Sequence, residues 1–217
     1  IVPLNNQLKI NRLAAGREKK KILQLLTRQI IDSSEIISSS MGILVELDFI
    51  HARARLAKIM RARLCPIGEG CKLQLNKAFN PELILNGKDV IPNDIAWDRS
   101  THVIIISGPN TGGKTVTLKT VGLMSLMVRA GLFLPVDKGS QIPFYPEVYA
   151  DIGDEQSIEL SLSTFSAHIK KIIHIMNHAA SGSLILLDEL GIATDPHEGA
   201  SLAEAMLTEL NDKGVTT

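Results

Sequence analysis

The chain has 217 residues, 45% of them apolar and only 4% aromatic, with 23 Lys/Arg against 23 Asp/Glu. That length suits one large domain, or one domain with an appendage, and its core must rest on Leu, Ile, Val and Ala. The low aromatic content argues against a ring-stacking platform for single-stranded nucleic acid, and no apolar run is long enough to span a membrane as a helix.

The charge is spread unevenly. Residues 1–63 hold 12 Lys/Arg against 5 Asp/Glu, a balance of +7, and residues 64–217 hold 11 against 18, a balance of −7. A basic arm on an acidic body suggests an arm that meets a polyanion; a solvated helix face is the plainer reading. Residues 4 to about 38 predict one long helix, with Leu4, Leu8, Ala15, Ile22, Leu26 and Ile30 as its apolar stripe. A second helix is expected from about Ile43 to Arg63, with Leu44, Leu47, Ile50, Ala54 and Leu56/Ala57 inward. The joint Ser38-Ser39-Ser40-Met41-Gly42 would make the pair a helical hairpin or two pieces of a lever. Residues 1–64 are therefore expected to form a helical segment and residues 65–217 a separate α/β domain.

Cys65 and Cys71 flank Pro66 and Gly70 at a spacing unlike that of zinc ligands, so they read as free thiols of an intracellular, soluble protein. Prolines and glycines break 65–87 into short strands and turns. From Val90 onward the pattern alternates. It predicts a strand over 103–107, a helix over 114–130, and short strands near 132–136 and 147–151. A helix over 165–180, a strand over 184–188, a helix over 198–212 and a strand beginning at 215 follow. Such alternation means a parallel sheet covered by helices. Ile1 is not an initiator Met and Val215-Thr216-Thr217 reads as half a strand, so the sequence is expected to be part of a longer protein.

Chemistry concentrates at two places. Gly108-Pro109-Asn110-Thr111-Gly112-Gly113-Lys114-Thr115, followed by Val116, fits the phosphate-binding loop G-x-x-x-x-G-K-T and stands between a predicted strand and a predicted helix. Backbone amides at a tight turn backed by a helix N-terminus cradle an anion. Lys114 is expected to reach the β/γ-phosphates of ATP, and the Thr115 hydroxyl to ligate Mg²⁺. The second place is Leu184-Ile185-Leu186-Leu187-Asp188-Glu189, an apolar strand ending in an acidic pair. Asp188 is the candidate Mg²⁺ ligand, and Glu189 the group that orients or deprotonates the attacking water. His168, His174 and His178 share a helix with no acid to complete a metal site, and read as surface or packing residues.

These stretches together resemble the MutS family of DNA-repair ATPases. The loop opening Gly-Pro-Asn, Ser163-Thr164-Phe165, Asp188-Glu189-Leu190-Gly191, Thr194-Asp195-Pro196 and Glu198-Gly199 all resemble family motifs. Asp151–Ile158, Ser161–Ser166 and Leu47–Ala54 point to its type 2 branch. The resemblance implies a P-loop NTPase of the ABC/MutS type, α/β with a parallel-core sheet covered by helices and preceded by a helical lever. It implies a homodimer in which Ser163 and Thr164 reach the partner's ATP site and Thr194 and Asp195 lie at the dimer seam. Asp154, Glu155 and Gln156 would link ATP state to the levers. Branched or mismatched DNA is the implied load, in recombination control or repair; a ribosome gripped by the same clamp is the alternative.

The sequence departs from the family pattern at three places. Asn80 stands where His often precedes Pro. Val90 and Ile91 stand where an adenine-stacking Phe is expected. Ile192-Ala193 replaces Ala-Gly in the seam loop. The histidine that senses the γ-phosphate in this family is expected just beyond Thr217, and any nuclease site outside these residues, so the chain is expected to bind ATP and to hydrolyse it poorly.

Overall fold

A computed structural model describes residues 2–68, 71–98, 100–109, 112–153, 161–188, 190 and 196–217, with the side chains of 161–168 and 196 left aside. The chain divides into two compact units, residues 1–53 and residues 54–217. The first unit is helical. Helix α1 covers Val2–Asp32 and α2 runs over Ser34–Ile59, its last turns belonging to the second unit. The two helices are nearly continuous: the Ser33 amide donates to the carbonyls of Gln29 and Ile30, and its own carbonyl accepts from Ile37.

This corrects the expected joint at 38–42, which stays helical. Ser and Gly each lower helix propensity by no more than about 1 kcal/mol, and no proline removes a backbone donor there. Among the described residues no hairpin closes within the unit. Leu4, Leu8, Ile22, Leu26 and Ile30 stay exposed, as do Leu44, Leu47 and Ile50. The apolar stripes are thus present but uncovered.

Helix α2 ends in a Schellman motif. Ala62 N–H donates to Ala57 O at 2.8 Å and Arg61 N–H to Lys58 O at 3.2 Å. That geometry needs a left-handed residue just past the helix, and Arg61 fills it at φ 50°. The same motif closes α4 (Lys114–Arg129) with Gly131 at φ 66°, the residue type that adopts this conformation freely.

The second unit is mixed α/β. Strands β1 (Leu73–Ala78) and β2 (Asn93–Trp97) pair antiparallel, with an irregularity between Leu75 and Ala78. Lys77 sits there at φ 45°, and its N–H donates to the Asp94 carboxylate at 2.7 Å. Between the strands lies the short helix α3 (Pro81–Leu85). Strands β3 (Val148–Asp151) and β4 (Leu184–Leu187) pair in parallel, joined through α5 (Ser161–His178). Helix α6 covers Pro196–Asp212.

The parallel sheet is smaller than expected. Thr216 adds one parallel bridge to Leu184. Thr217 donates to His102 O at 2.7 Å and accepts from Ile104 N–H at 2.8 Å. The 103–107 strand is not formed: one pair of bonds is too few for a ladder, and Ile105 remains 75% exposed. The predicted strand at 132–136 reduces to a single antiparallel bridge, Arg63 with Leu134.

Alternation along β4 builds the core. Leu184 and Leu186 join Leu73, Leu75, Val121, Met124, Leu134 and Ile142 in one cluster, while Ile185 joins Ile175, Leu210 and Val215 in another. Strand β4 is therefore buried on both faces, and its four-residue apolar run follows from that. Tyr145 is buried, and burial pushes its phenol pKa up, against the lowering effect of side-chain bonds to Thr216 and Trp97. The two cysteines are free thiols, Cys65 buried and Cys71 half-buried, and burial raises the Cys65 pKa.

Asn80 caps α3: its side-chain oxygen accepts from Leu83 N–H at 3.0 Å, and its amide donates to Thr120 Oγ1 on α4 at 3.0 Å while only 3% exposed. The sequence departure from His is thus a buried polar link between α3 and α4.

Two substitutions test this packing. Arg61→Gly should raise the unfolding free energy, read from a higher urea midpoint, by about 0.5–1 kcal/mol after the extra freedom of Gly in the unfolded chain is subtracted; an unchanged or lower midpoint would show that Arg61 is unstrained. Asn80→Ala should lower stability by about 1–3 kcal/mol, since it removes a cap and leaves the Thr120 hydroxyl with one partner fewer. A loss within error of zero would remove the link from the account.

Candidate functional site

The phosphate-loop segment folds as its glycines require. Gly108 has φ 146°, and Gly113 is left-handed (φ 78°, ψ 19°) as the residue that caps α4. The capping residue Gly113 brings no side chain to the helix start. The Gly112 N–H donates to Pro109 O at 2.9 Å, closing the turn. Lys114 opens α4 and its Nζ donates to Gly108 O, folding the side chain back across the loop. Val116 lies on the first turn, half-buried. Asn110 and Thr111 lie outside the described residues.

The central contact joins the two sequence motifs. Thr115 Oγ1 donates to Asp188 Oδ2 at 2.7 Å, across 73 residues of chain. Asp188 directly follows β4, and its N–H donates to Asp151 O at 3.0 Å, so the ends of β3 and β4 are tied together there. Asp151 is 4% exposed and lies 3.3 Å from Lys171 Nζ on α5. The surface end of that pair weakens it, since Lys171 is largely solvated. A half-buried hydroxyl and a carboxylate in contact are hard oxygen donors, the kind Mg²⁺ takes.

Helix α4 lies close to β4 at Gly122, which is buried. A Cβ there would come within 2.6 Å of Leu186 Cδ1, so a larger residue requires the Leu186 side chain or the helix to move. A second tie comes from β2, where Asn93 Nδ2 donates to Thr117 Oγ1 at 3.4 Å, and Thr117 itself donates to Gly113 O at 3.0 Å.

Glu189, Thr194 and Asp195 lie outside the described residues, as do Asp154, Glu155, Gln156, Ile192 and Ala193. Ser163 and Thr164 fall in the first turn of α5, with their side chains left aside. The structure therefore brings together Gly108, Gly112, Gly113, Lys114, Thr115 and Asp188. Asn93, Gly122 and the Asp151–Lys171 pair are additions that sequence reading missed. Asp151 carried a signal, an acid ending the short run Val148-Tyr149-Ala150, the same logic that singled out Asp188. Of Val90 and Ile91, the residues expected opposite the adenine, Val90 is half-buried and Ile91 is 85% exposed. His174 and His178 are exposed with rings 4.1 Å apart, and no group of three or more His, Cys, Asp or Glu among the described residues could hold a metal. Among those residues no helix is long and apolar enough to cross a membrane.

Residues 104–217 match the family MutS domain V. The chain is 46% identical over 217 residues to Endonuclease MutS2 of Geobacillus sp. (strain WCH70), and 46% over 217 residues to Endonuclease MutS2 of Alkaliphilus oremlandii (strain OhILAs). It is 44% identical over 214 residues to Endonuclease MutS2 of Bacillus cytotoxicus. The alignments cover 100%, 100% and 99% of this chain but 27% of each of those proteins, so it spans about a quarter of their length.

Gly122→Leu should lift α4 from β4. Overpacking of this kind costs about 1–3 kcal/mol, and the variant should lose both thermal stability and Mg²⁺-dependent nucleotide binding. Retained binding with a lowered melting temperature would mean that the helix–strand spacing does not set the site.

Proposed function

The chain belongs to the MutS family, and from that membership we propose that it binds and hydrolyses ATP with Mg²⁺ as the moving part of a homodimeric, DNA-binding clamp. The observation that carries the proposal is the Thr115–Asp188 contact, which puts a phosphate-loop hydroxyl and a strand-end carboxylate on one metal-sized locus. In this reading residues 65–217 are an ATPase domain on a parallel-core sheet, and residues 1–64 belong to the lever.

The loop amides and the open N-terminus of α4 receive the phosphates. Lys114 leaves Gly108 O for the β/γ-phosphate oxygens, exchanging a carbonyl for a charged acceptor, which is the stronger bond. Thr115 and Asp188 would hold Mg²⁺, which would supply positive charge against the charge that develops on the phosphates. Glu189 orients the attacking water and takes its proton as the oxygen closes on the γ-phosphorus and the bond to the β–γ bridging oxygen breaks. Ser163 and Thr164 of a second copy complete the site from across the dimer, with Thr194 and Asp195 at the seam. Ile91 offers an apolar edge to the base without ring stacking.

The load is DNA, branched or mismatched, in recombination control or repair, and the setting is the cytoplasm. The relatives carry the word endonuclease in their names; no nuclease site is assigned to these residues. The ribosome alternative finds no support in the family match or in the relatives' names.

Lys114→Ala should weaken binding of a fluorescent ATP analogue severely, whereas Glu189→Gln should leave it near the parent value and cut kcat by about 10²–10⁴. With ATP bound, Glu189→Gln protein should hold a labelled four-way DNA junction that plain duplex displaces poorly. Turnover by Glu189→Gln at the parent rate would remove the catalytic role, and displacement of the junction by ribosomes would reverse the choice of load.

A further inference from the structure

A groove of about 600 Å³ lies in the second unit away from the phosphate loop, between the segment from Arg63 to Pro66 and the turn from Asp137 to Gln141. Backbone bonds fix its two walls. Arg63 and Leu134 exchange N–H and C=O groups at 2.7 and 3.0 Å, and Ile142 N–H donates to Pro66 O at 3.2 Å. The charge balance inside it is positive. Arg63 and Lys138 are exposed on opposite walls, and the one carboxylate, Asp137, is taken by Lys77 Nζ at 3.5 Å.

Side-chain hydrogen bonds fix the turn. The Ser140 hydroxyl donates to Asp137 O at 2.7 Å and accepts from Asn76 N–H at 2.9 Å, while Asn76 Nδ2 donates to Lys138 O at 3.0 Å. Gly139 is left-handed at φ 82°. The amides of Lys138, Gly139 and Ser140 have no acceptor among the described residues, and successive amides around a left-handed residue form an anion-binding concavity. Within the same unit, residues 54–63 hold Arg55, Lys58, Arg61 and Arg63 and no acid.

We propose that this groove is a second anion site, which takes phosphodiester groups of a nucleic-acid backbone. It rests on the DNA-binding reading above and adds to it a named contact on the body of the domain, separate from the ATP site. Arg63 and Lys138 neutralise the phosphate oxygens and the 138–140 amides fix their position; none of these groups reads a base, so the contact is independent of sequence.

The test is the salt dependence of binding to a labelled DNA duplex and to an RNA duplex of the same sequence, measured by fluorescence anisotropy. Removing one cation that neutralises a phosphate should reduce the slope of log K against log salt by about 0.9, so Arg63→Gln with Lys138→Gln should reduce it by about 2. Lys138→Gln alone, an exposed side chain whose removal leaves the fold intact, should give about half of that. Affinity for ATP should be unchanged in both. Lys88→Gln with Lys170→Gln, of the same charge change elsewhere, should leave the slope at the parent value. A parent that binds either duplex with an unaltered slope in the groove variants overturns the proposal, and the duplex bound names the source of the phosphodiester.

If the parent binds neither duplex, the nucleic-acid reading fails by itself, and the groove is decided by titrating inorganic pyrophosphate. A shift of the Gly139 amide resonance that disappears in the double variant supports an anion site; no shift overturns it.

Discussion

One hydrogen bond, Thr115 to Asp188, organises this domain. Its donor is the second residue of α4 and its acceptor is the first residue past β4, so it exists only if helix and strand lie at one separation and one register. Everything described around it serves that condition. Gly122 allows the close approach, Leu184 and Leu186 pack the strand's near face, and Ile185 anchors the far face against Ile175, Leu210 and Val215. Asp151 then fixes Asp188 through the backbone, and the β3–β4 ladder fixes Asp151. The site is therefore a property of the packed layers, and the loop glycines are its last element.

Much of this was legible from residue patterns because the relevant periods are short and the signals strong. The apolar run Leu184–Leu187 had to be buried on both faces, and it is. The helix expected over 114–130 forms as α4, with Val121, Met124 and Val128 buried and Leu126 exposed. The loop pattern predicted a glycine-rich turn that opens a helix, and α4 starts at Lys114 directly after Gly113. What stayed hidden depends on contacts between segments far apart in the chain. Val103–Ile106 has the composition of a strand, but a strand needs a neighbour along its whole length, and among the described residues only Thr217 bonds to its backbone. Nothing local marks Gly122, whose importance is the presence of Leu186 opposite it. Asn80 looked like a departure from a pattern; its role is visible only once Thr120 is seen beside it.

The helical segment shows the opposite case. Its periodicity predicted helices, and helices formed, yet the pattern that implied inward faces found nothing to cover them within residues 1–53. Helix formation is set by neighbours along the chain, whereas burial is set by partners in space, and a repeat of apolar residues reports the first more directly than the second. The end of α2 makes the same distinction. Arg61 accepts a left-handed backbone because the Schellman bonds of Ala62 and Arg61 demand it, although its side chain argues against it.

The bonds from Thr217 to His102 and Ile104 bear on how the protein is made. The peptide that leads into the phosphate loop emerges early in synthesis, but the residue that pins it emerges much later. Closing so long a loop is slow and entropically opposed until the intervening layers have packed. The nascent chain consequently passes through an interval in which Val103, Ile104, Ile105 and Ile106, a run of β-branched residues without a partner strand, are open to mispairing. The order of translation itself therefore delays the pinning of the segment that enters the loop until the layers around it are in place.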